Sequence, residues 1–201
     1  CCAACTVAAS AHRLPYIERM RTSNKTKILD AAVRVINRDG VRAVTFESVS
    51  SESGLTRGGL LYHFPSREAL LRGIDEHLVQ AWEASMQQLL DVPAGQASAV
   101  ERHAAYMRVS AHSATRAELI FMLESVQPDS DVAPWSEAMA RWAPPPPRSG
   151  ETDPAVWDNF IARLAADGLW VYEGMYNGRI DEDVRAGIAQ RLMAMLRAQA
   201  E

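Results

Sequence analysis

Cysteine is absent from all but the first five residues of this 201-residue chain, where Cys1, Cys2 and Cys5 occur. The folded body therefore has neither a disulfide nor a thiolate metal site, and we expect no metal. A chain without stabilising disulfides fits a reducing compartment, so we expect a cytoplasmic protein.

Long apolar runs are also absent. No stretch approaches the 18 or so residues of a membrane-spanning helix, and the first 20 residues lack the apolar core of a signal peptide. We expect residues 1–21 to form a flexible N-terminal extension, with Met20 as a natural start. A genuine extra N-terminal arm is the open alternative.

Catalytic signatures are missing as well. The sequence contains no HEXXH, no nucleotide-binding glycine loop and no Ser-His-Asp pattern, so we expect neither an enzyme nor a cofactor. The net charge of −4 excludes a protein coated with nucleic acid. Residues 21–75 nevertheless carry nine Lys/Arg against six Asp/Glu. This local excess predicts a confined DNA-binding surface.

The chain does contain signals for helix starts and ends, and they are concentrated between residues 45 and 71. Thr45 is a candidate N-cap, and Gly54 ends the helix that it opens. Thr56 caps a second helix to about His63, and Ser66 caps a third after a proline. Two short helices joined by a tight glycine turn predict a helix-turn-helix, whose second helix lies in the DNA major groove.

The stretch GLTRGGLLYHFPSREALL, with the preceding TFESVSSES, resembles the DNA-binding domain of the tetracycline-repressor (TetR) family. The matching positions are Gly54, Leu55, Thr56, Arg57, Gly58, Leu60, Tyr62, His63, Phe64, Ser66, Arg67 and Leu70. Leu61 and Gly59 depart from the usual Tyr and Thr or Ser. The strong resemblance covers residues 26–74. It implies a ligand-responsive regulator that binds operator DNA and dimerises through its last two helices.

Arg57 begins the predicted second helix and is our candidate for bidentate contact with guanine, with a phosphate contact or a solvated arginine as alternatives. Gly58 and Gly59 allow close approach to the groove, or else only weaken the helix. We assign phosphate contacts to hydroxyl, imidazole and basic side chains: Lys25, Lys27, Thr45, Thr56, Tyr62, His63 and Arg67. For His63, packing or capping of the helix end is the alternative.

The remaining chain reads as helices with clear start signals, such as Ser98 with Glu101, Thr115 with Glu118, and Asp153 with Pro154. We find no repeat and no strand alternation. The prediction is an all-α protein of about nine helices. Its expected domains are a three-helix DNA-binding domain, residues 22–72, and a helical ligand-binding and dimerisation domain, residues 73–201.

Aromatic and thioether side chains are frequent after residue 80 and are suited to an adaptable apolar pocket. We predict an effector pocket, with ordinary core as the alternative for any one residue: Trp82, Met86, His103, Met107, Phe121, Met122, Trp135, Met139, Trp157 and Phe160.

The last two helices are amphipathic and joined by a short turn, so two copies can form a four-helix bundle. The predicted dimer interface contains Phe160, Leu164, Ile188, Leu192 and Met195. Burial of both stripes inside one chain is the alternative.

These observations predict a ligand-responsive regulator, most simply a repressor. It binds a palindromic double-stranded operator as a homodimer and is released by a small apolar or aromatic effector. A helical-bundle enzyme and a helical adaptor without DNA binding are the competing interpretations.

Overall fold

The computed structural model describes residues 23–112, 115–124, 134–175 and 180–196. Within these ranges the chain forms nine α-helices, one short 3-10 turn and no strand, which confirms the predicted all-α fold. The N-terminal extension predicted for residues 1–21 lies outside the described residues. The elements are α1 (Asn24–Asp39), the 3-10 turn (Val41–Ala43), α2 (Phe46–Ser53), α3 (Arg57–His63), α4 (Arg67–Gln87), α5 (Ala99–His112), α6 (Arg116–Glu124), α7 (Pro134–Trp142), α8 (Pro154–Met175) and α9 (Glu182–Met195).

Helices α1 to α3 form a small unit, here called the head, whose helix ends are fixed by local caps. The Thr45 hydroxyl accepts a hydrogen bond from the backbone N–H of Ser48, and the Ser48 hydroxyl accepts one from the backbone N–H of Thr45. Gly54 adopts the left-handed conformation at φ 70°, which a residue without Cβ takes at little cost. The turn between α2 and α3 is therefore specified by its own residues.

The head surrounds a compact apolar core that includes Ile28, Val35, Val49, Leu60 and Phe64, all buried. Phe46 and Leu55 are only partly buried and pack against its edge.

Helix α4 connects the head to the rest of the protein. It ends at Gln87, and its 21 residues span about 31 Å. One face is buried over its whole length, through Leu70, Ile74, Leu78, Trp82 and Met86. The domain boundary expected after residue 72 falls inside this helix, so one continuous rod reaches from the head into the body.

The body consists of α5 to α9 and the C-terminal half of α4. Helix α5 packs against α4, α7, α8 and α9, and α8 packs against α9. The predicted capping boxes form: Ser98 and Glu101 exchange hydrogen bonds of 2.8 and 3.3 Å, and Thr115 and Glu118 of 2.7 and 3.3 Å. Asp181 occupies the N-cap position of α9, but its side chain makes no capping hydrogen bond. None of the helices in the described residues is long and apolar enough to cross a membrane.

Candidate nucleic-acid interface

Helix α3 turns one face into the head and the other to solvent. Leu60 is fully buried, which anchors the helix, while Tyr62 is 85% exposed. The Thr56 hydroxyl accepts a hydrogen bond from the Gly59 N–H at 3.2 Å and fixes the first turn. This orientation leaves Arg57, Gly58 and Tyr62 on the accessible side.

Arg57 forms an ion pair with Glu47 on α2, with Nη1 2.6 Å from Oε1. Both side chains are largely exposed, at 64% and 65%. Exposed pairs of this kind contribute only about 0–1 kcal/mol, so a nucleic acid can displace the carboxylate at little cost. Glu47 was not singled out in the sequence, because its neighbour is ten residues away and the contact depends on the turn between α2 and α3.

A shallow cavity of about 370 Å³ lies between α3 and the start of α1. It brings together four of the predicted DNA-binding residues, and its lining is Asn24, Gly54, Leu55, Thr56, Gly59, Tyr62 and His63. The rings of Tyr62 and His63 meet edge to face at 5.1 Å between centroids. A Cβ on Gly59 would sit 3.4 Å from the Thr56 hydroxyl, whereas Gly58 faces open space.

The other predicted phosphate-binding residues occupy the rim of this surface. Lys25 and Lys27 are exposed at the start of α1, and the Lys25 ammonium lies 5.9 Å from the centre of the Phe64 ring. Thr45 is exposed, although its hydroxyl already accepts the Ser48 N–H.

Arg67 has a different role in the structure from the phosphate contact that we predicted. Its Nε donates to the carbonyl of Val44 at 3.0 Å and its Nη2 to the carbonyl of Val41 at 3.2 Å. The guanidinium thereby ties the 3-10 turn to the first turn of α4. In this conformation it stabilises the head from inside, and its contact with phosphate stays a prediction.

Deep in the body, aromatic rings cluster around Trp82 of α4. Its ring centroid lies 5.6 Å from that of Tyr106, 5.6 Å from that of Trp135 and 6.1 Å from that of Trp170. We call these four residues the aromatic cluster. Four of the other eight predicted pocket residues are buried as well: Met86, His103, Met107 and Phe121.

Three predicted pocket residues differ from this group, and one lies outside the description. Trp157 is 46% exposed and donates to the carbonyl of Glu151 at 3.3 Å, and its assignment to the pocket stays a prediction. It lies two residues past the buried Ala155 of α8, and the helix turns it outward. Met139 and Phe160 are only partly buried. The side chain of Met122 lies outside the described residues.

Carboxylates surround the aromatic cluster, and the sequence analysis missed them because each is paired across helices. Asp75 accepts from Trp135 Nε1 at 2.7 Å, and Glu83 accepts from Trp142 Nε1 at 2.8 Å. Asp167 accepts from the Tyr106 hydroxyl. Burial raises the pKa of Asp75 and of Asp167 above the ordinary range.

Four buried side-chain polar atoms have no hydrogen-bond partner among the described residues: Trp82 Nε1, Trp170 Nε1, His103 Nδ1 and Ser110 Oγ. Burial, together with the positive charges of Arg102 and Arg163, lowers the pKa of His103 to about 4, so this imidazole is neutral at pH 7. Buried polar groups in proteins are normally paired, and such orphans mark a place where a ligand can supply the partner.

The outward face of α8 carries an apolar stripe. Trp157, Ile161, Leu164, Val171 and Tyr172 are each between 44% and 54% exposed. Of the interface residues that we predicted, Leu164 belongs to this stripe, whereas Phe160, Ile188 and Met195 are partly buried. Leu192 is 4% exposed and packs inside its own chain, and its assignment to a dimer interface stays a prediction.

A helix-turn-helix with an exposed second helix, joined by one rod to a helical body, defines a DNA-binding regulatory protein. The comparisons agree with this class. Residues 28–74 match the model of the tetR family of bacterial regulatory proteins, and residues 100–197 match the tetracyclin repressor-like C-terminal domain. The chain belongs to the tetR family and is a transcriptional regulator.

Individual relatives are more distant. The uncharacterized HTH-type transcriptional regulator YerO of Bacillus subtilis (strain 168) is 33% identical over 55 residues, which make up 27% of this chain and 19% of that protein. The fatty acid degradation regulator FadR from Bacillus halodurans has the same fold, with a TM-score of 0.56 and 15% identity over 85% of this chain and 98% of that one. The structure of AibR in complex with isovaleryl coenzyme A and operator DNA also has this fold. Its TM-score is 0.55, with 23% identity over 87% of this chain and 98% of that one.

Proposed function

We propose that this chain is a repressor that binds a palindromic operator in the cytoplasm as a homodimer and releases it when a small apolar or aromatic effector binds in the body. The observation that carries the proposal is the exposure of one face of α3, including Arg57 and Tyr62, on a helix that Leu60 anchors in the head. In this proposal residues 22–72 bind DNA and residues 73–201 bind the effector and the second subunit.

Base reading is assigned to Arg57. Its guanidinium pairs at the surface with the exposed carboxylate of Glu47, and a guanine offers two acceptors at the spacing of that fork. A Cβ placed at Gly58 would meet no atom of the described residues within 4 Å, so this position lets the helix backbone approach the groove. Tyr62, His63 and Thr56 line the adjoining cavity and are assigned to the phosphate backbone.

The second subunit is assigned to the apolar stripe of α8. Exposed large side chains recur along this helix from residue 157 to residue 172, with Gly168 leaving open space between them. Contiguous apolar patches of this kind are uncommon on free monomers and mark interaction surfaces. A two-fold dimer also presents two heads, as half-sites in successive major grooves about 34–36 Å apart require.

Effector binding is assigned to the region of the aromatic cluster because α4 is common to both functions. Near its start Gly73 contacts the Phe64 ring of the head, and further along Trp82 lies at the centre of the cluster. A ligand that repositions Trp82 tilts the rod and changes the separation of the two heads. It shifts the population only by its differential affinity for the two arrangements. The complex of AibR with both an acyl coenzyme A and DNA supports this combination of partners for the present fold.

Selection of bound duplexes from a random pool tests the proposal. Purified protein is incubated with the pool at several salt concentrations, and retained sequences are read. We expect a palindrome whose affinity falls steeply as salt rises, because phosphate contacts release counterions. Retention of no duplex at low salt would refute the proposal, and retention of a lone half-site would refute its dimeric part.

A further inference from the structure

We infer that the effector is an apolar molecule bearing a carbonyl or carboxylate oxygen, which accepts hydrogen bonds from the indole N–H groups of Trp82 and Trp170, and that it is not an organic cation. The inference rests on the proposed function, since it names the chemical class of ligand for that site.

The first argument is the direction of the unpaired groups. An indole nitrogen donates a hydrogen bond and cannot accept one. Trp82 and Trp170 are 2% and 1% exposed, and neither Nε1 has a partner among the described residues. Both donors are removed from water, so a bound acceptor restores a hydrogen bond that the free protein lacks.

The second argument is that a cation offers only hydrogen-bond donors. It would leave the N–H groups of Trp82 and Trp170 unpaired. The nearby carboxylates already have partners: Asp75 accepts from Trp135, Asp167 accepts from Tyr106, and Glu83 accepts from Trp142 and pairs with Arg141.

The third argument is the sign of the local charge. His103, 6% exposed, lies on α5 one turn before Tyr106, and Arg102 and Arg163 act on it strongly enough to help to lower its pKa. Close to His103 these arginines disfavour a positive group and favour an oxygen acceptor, although Arg163 also lies 3.5 Å from Asp167.

The fourth argument is proximity. The rings of Trp82 and Trp170 are 6.1 Å apart between centroids and inclined by 58°. The two donors therefore belong to neighbouring rings, so one small ligand beside both rings can meet them. Tyr106 and Trp135 at 5.6 Å from Trp82 supply the apolar walls.

Three naphthalene probes of one shape and different polar groups test the inference: 2-acetylnaphthalene, 2-naphthoate and 2-naphthylmethylammonium. Calorimetric titration of the full-length protein gives the affinity for each, and release of the selected operator is followed in parallel. We expect the ketone and the carboxylate to bind at least about tenfold more tightly than the ammonium, the equivalent of one or two hydrogen bonds gained or lost.

Substitution of single tryptophans then identifies the donors. Trp170→Phe and Trp82→Phe keep an aromatic ring and remove the N–H, so each should weaken 2-acetylnaphthalene binding by about three- to tenfold and leave the ammonium unchanged. Trp142→Phe is the matched control, because its N–H is already paired with Glu83 at 2.8 Å. It should preserve the order of the three probes.

A preference for the ammonium, or equal binding of all three probes, would overturn the inference. So would the failure of every probe to bind protein that still binds its operator. Protein that shows the expected probe order but retains no duplex would instead refute the proposed function and leave the chemistry of the site intact.

Discussion

The side-chain oxygen of Asn37 accepts a hydrogen bond from the backbone N–H of Ala117 at 2.9 Å. Asn37 lies in the last turn of α1 in the head, and Ala117 lies in the first turn of α6 in the body. The first N–H groups of a helix have no partner within it, so this side chain serves as a cap supplied from another domain. Head and body are thus joined by a polar contact as well as by α4. In addition, Nε2 of His77 on α4 lies within hydrogen-bonding distance of Oδ1 of Asp30 on α1, at 2.8 Å.

Replacing Asn37 tests this contact. Asn37→Leu removes the acceptor, so we expect the free energy of unfolding to fall by about 0.5–1.5 kcal/mol and the Ala117 amide to exchange with solvent faster. Asn37→Asp keeps an acceptor oxygen and adds a charge that the helix N-terminus favours, so protection should persist. Denaturant unfolding and hydrogen exchange by NMR measure both. Equal protection of Ala117 in the two variants would contradict the contact.

The two arginines at the ends of the α3 region should separate DNA reading from stability. Arg67→Ala removes two hydrogen bonds to backbone carbonyls, so we expect a loss of about 1–3 kcal/mol of folding stability. Arg57→Ala removes only an exposed ion pair, so stability should change by less than about 0.5 kcal/mol. Its effect should appear in the operator, where base preference at one position relaxes by about 1–3 kcal/mol.

Thermal unfolding and competition binding with single-base operator variants measure these effects. If Arg67→Ala leaves stability unchanged but weakens binding to all duplexes equally, Arg67 contacts phosphate as the sequence predicted. If the base preference is unaltered in Arg57→Ala, Arg57 does not contact a base.

Local chemistry explains what the sequence could predict. The starts at Thr45, Ser98 and Thr115 depend on residues within three positions, and the structure forms each of these caps. Contacts made through space left no such signal. The Glu47–Arg57 pair and the Arg67 hydrogen bonds join different elements, and only the folded turn brings them together.

Helix α8 shows the other limit of sequence reasoning. Its apolar residues occupy nearly every direction, so their spacing could not decide which side faces the core. Trp157 was expected inside and is 46% exposed, whereas Ala162 and Ala166 are fully buried. Small residues at these positions let α8 approach its neighbours closely, and the large side chains are left outside.

The exposed stripe leads to a prediction about assembly. Leu164→Glu places a charge at the centre of the proposed dimer interface, so we expect a monomer with undiminished helix content and weaker operator binding. Sedimentation velocity and circular dichroism measure the two properties. Leu89→Glu is the matched control, since Leu89 is 44% exposed but lies outside α8. Dimers of Leu164→Glu at micromolar concentration would place the interface elsewhere.

Gly73 should be intolerant of alanine despite its place in a helix. Alanine normally stabilises a helix interior by about 1 kcal/mol relative to glycine. At Gly73, however, a Cβ would lie 2.6 Å from Cε1 of the buried Phe64 ring. We expect Gly73→Ala to lower stability by about 1–3 kcal/mol and to weaken operator binding, because Phe64 ends α3.

Gly187→Ala is the control, because the nearest atom to its Cβ would be the mobile end of Arg191 at 3.5 Å. It should be neutral or stabilising by up to about 1 kcal/mol. If Gly73→Ala were equally stable, the head would have room to shift Phe64, and the tight contact with α4 would not position α3.

His103 should make stability depend on pH in a defined window. Its folded pKa of about 4 lies below the ordinary value of 6.5, so between these values the unfolded chain binds a proton that the folded protein does not. Its contribution to the free energy of unfolding therefore falls as pH decreases from 6.5 to 4, by up to about 1.4 kcal/mol per pH unit, and is constant above that window. Asp75 and Asp167, whose pKa values are raised, act in the opposite direction. The pH dependence of the wild-type unfolding free energy is therefore the sum of these opposing contributions.

The difference between wild type and His103→Leu isolates the imidazole, because the carboxylates remain in both proteins. We expect this difference in unfolding free energy, measured by urea titration, to be flat from pH 7 to 8 and to turn in favour of the variant as pH falls towards 4. Leucine has no polar atom to leave unpaired, so the variant also removes the orphaned Nδ1 without creating another. A difference that stays constant down to pH 4 would mean that water reaches His103 in the folded protein. The imidazole would then lie in a hydrated part of the body, away from the buried donors assigned to the effector.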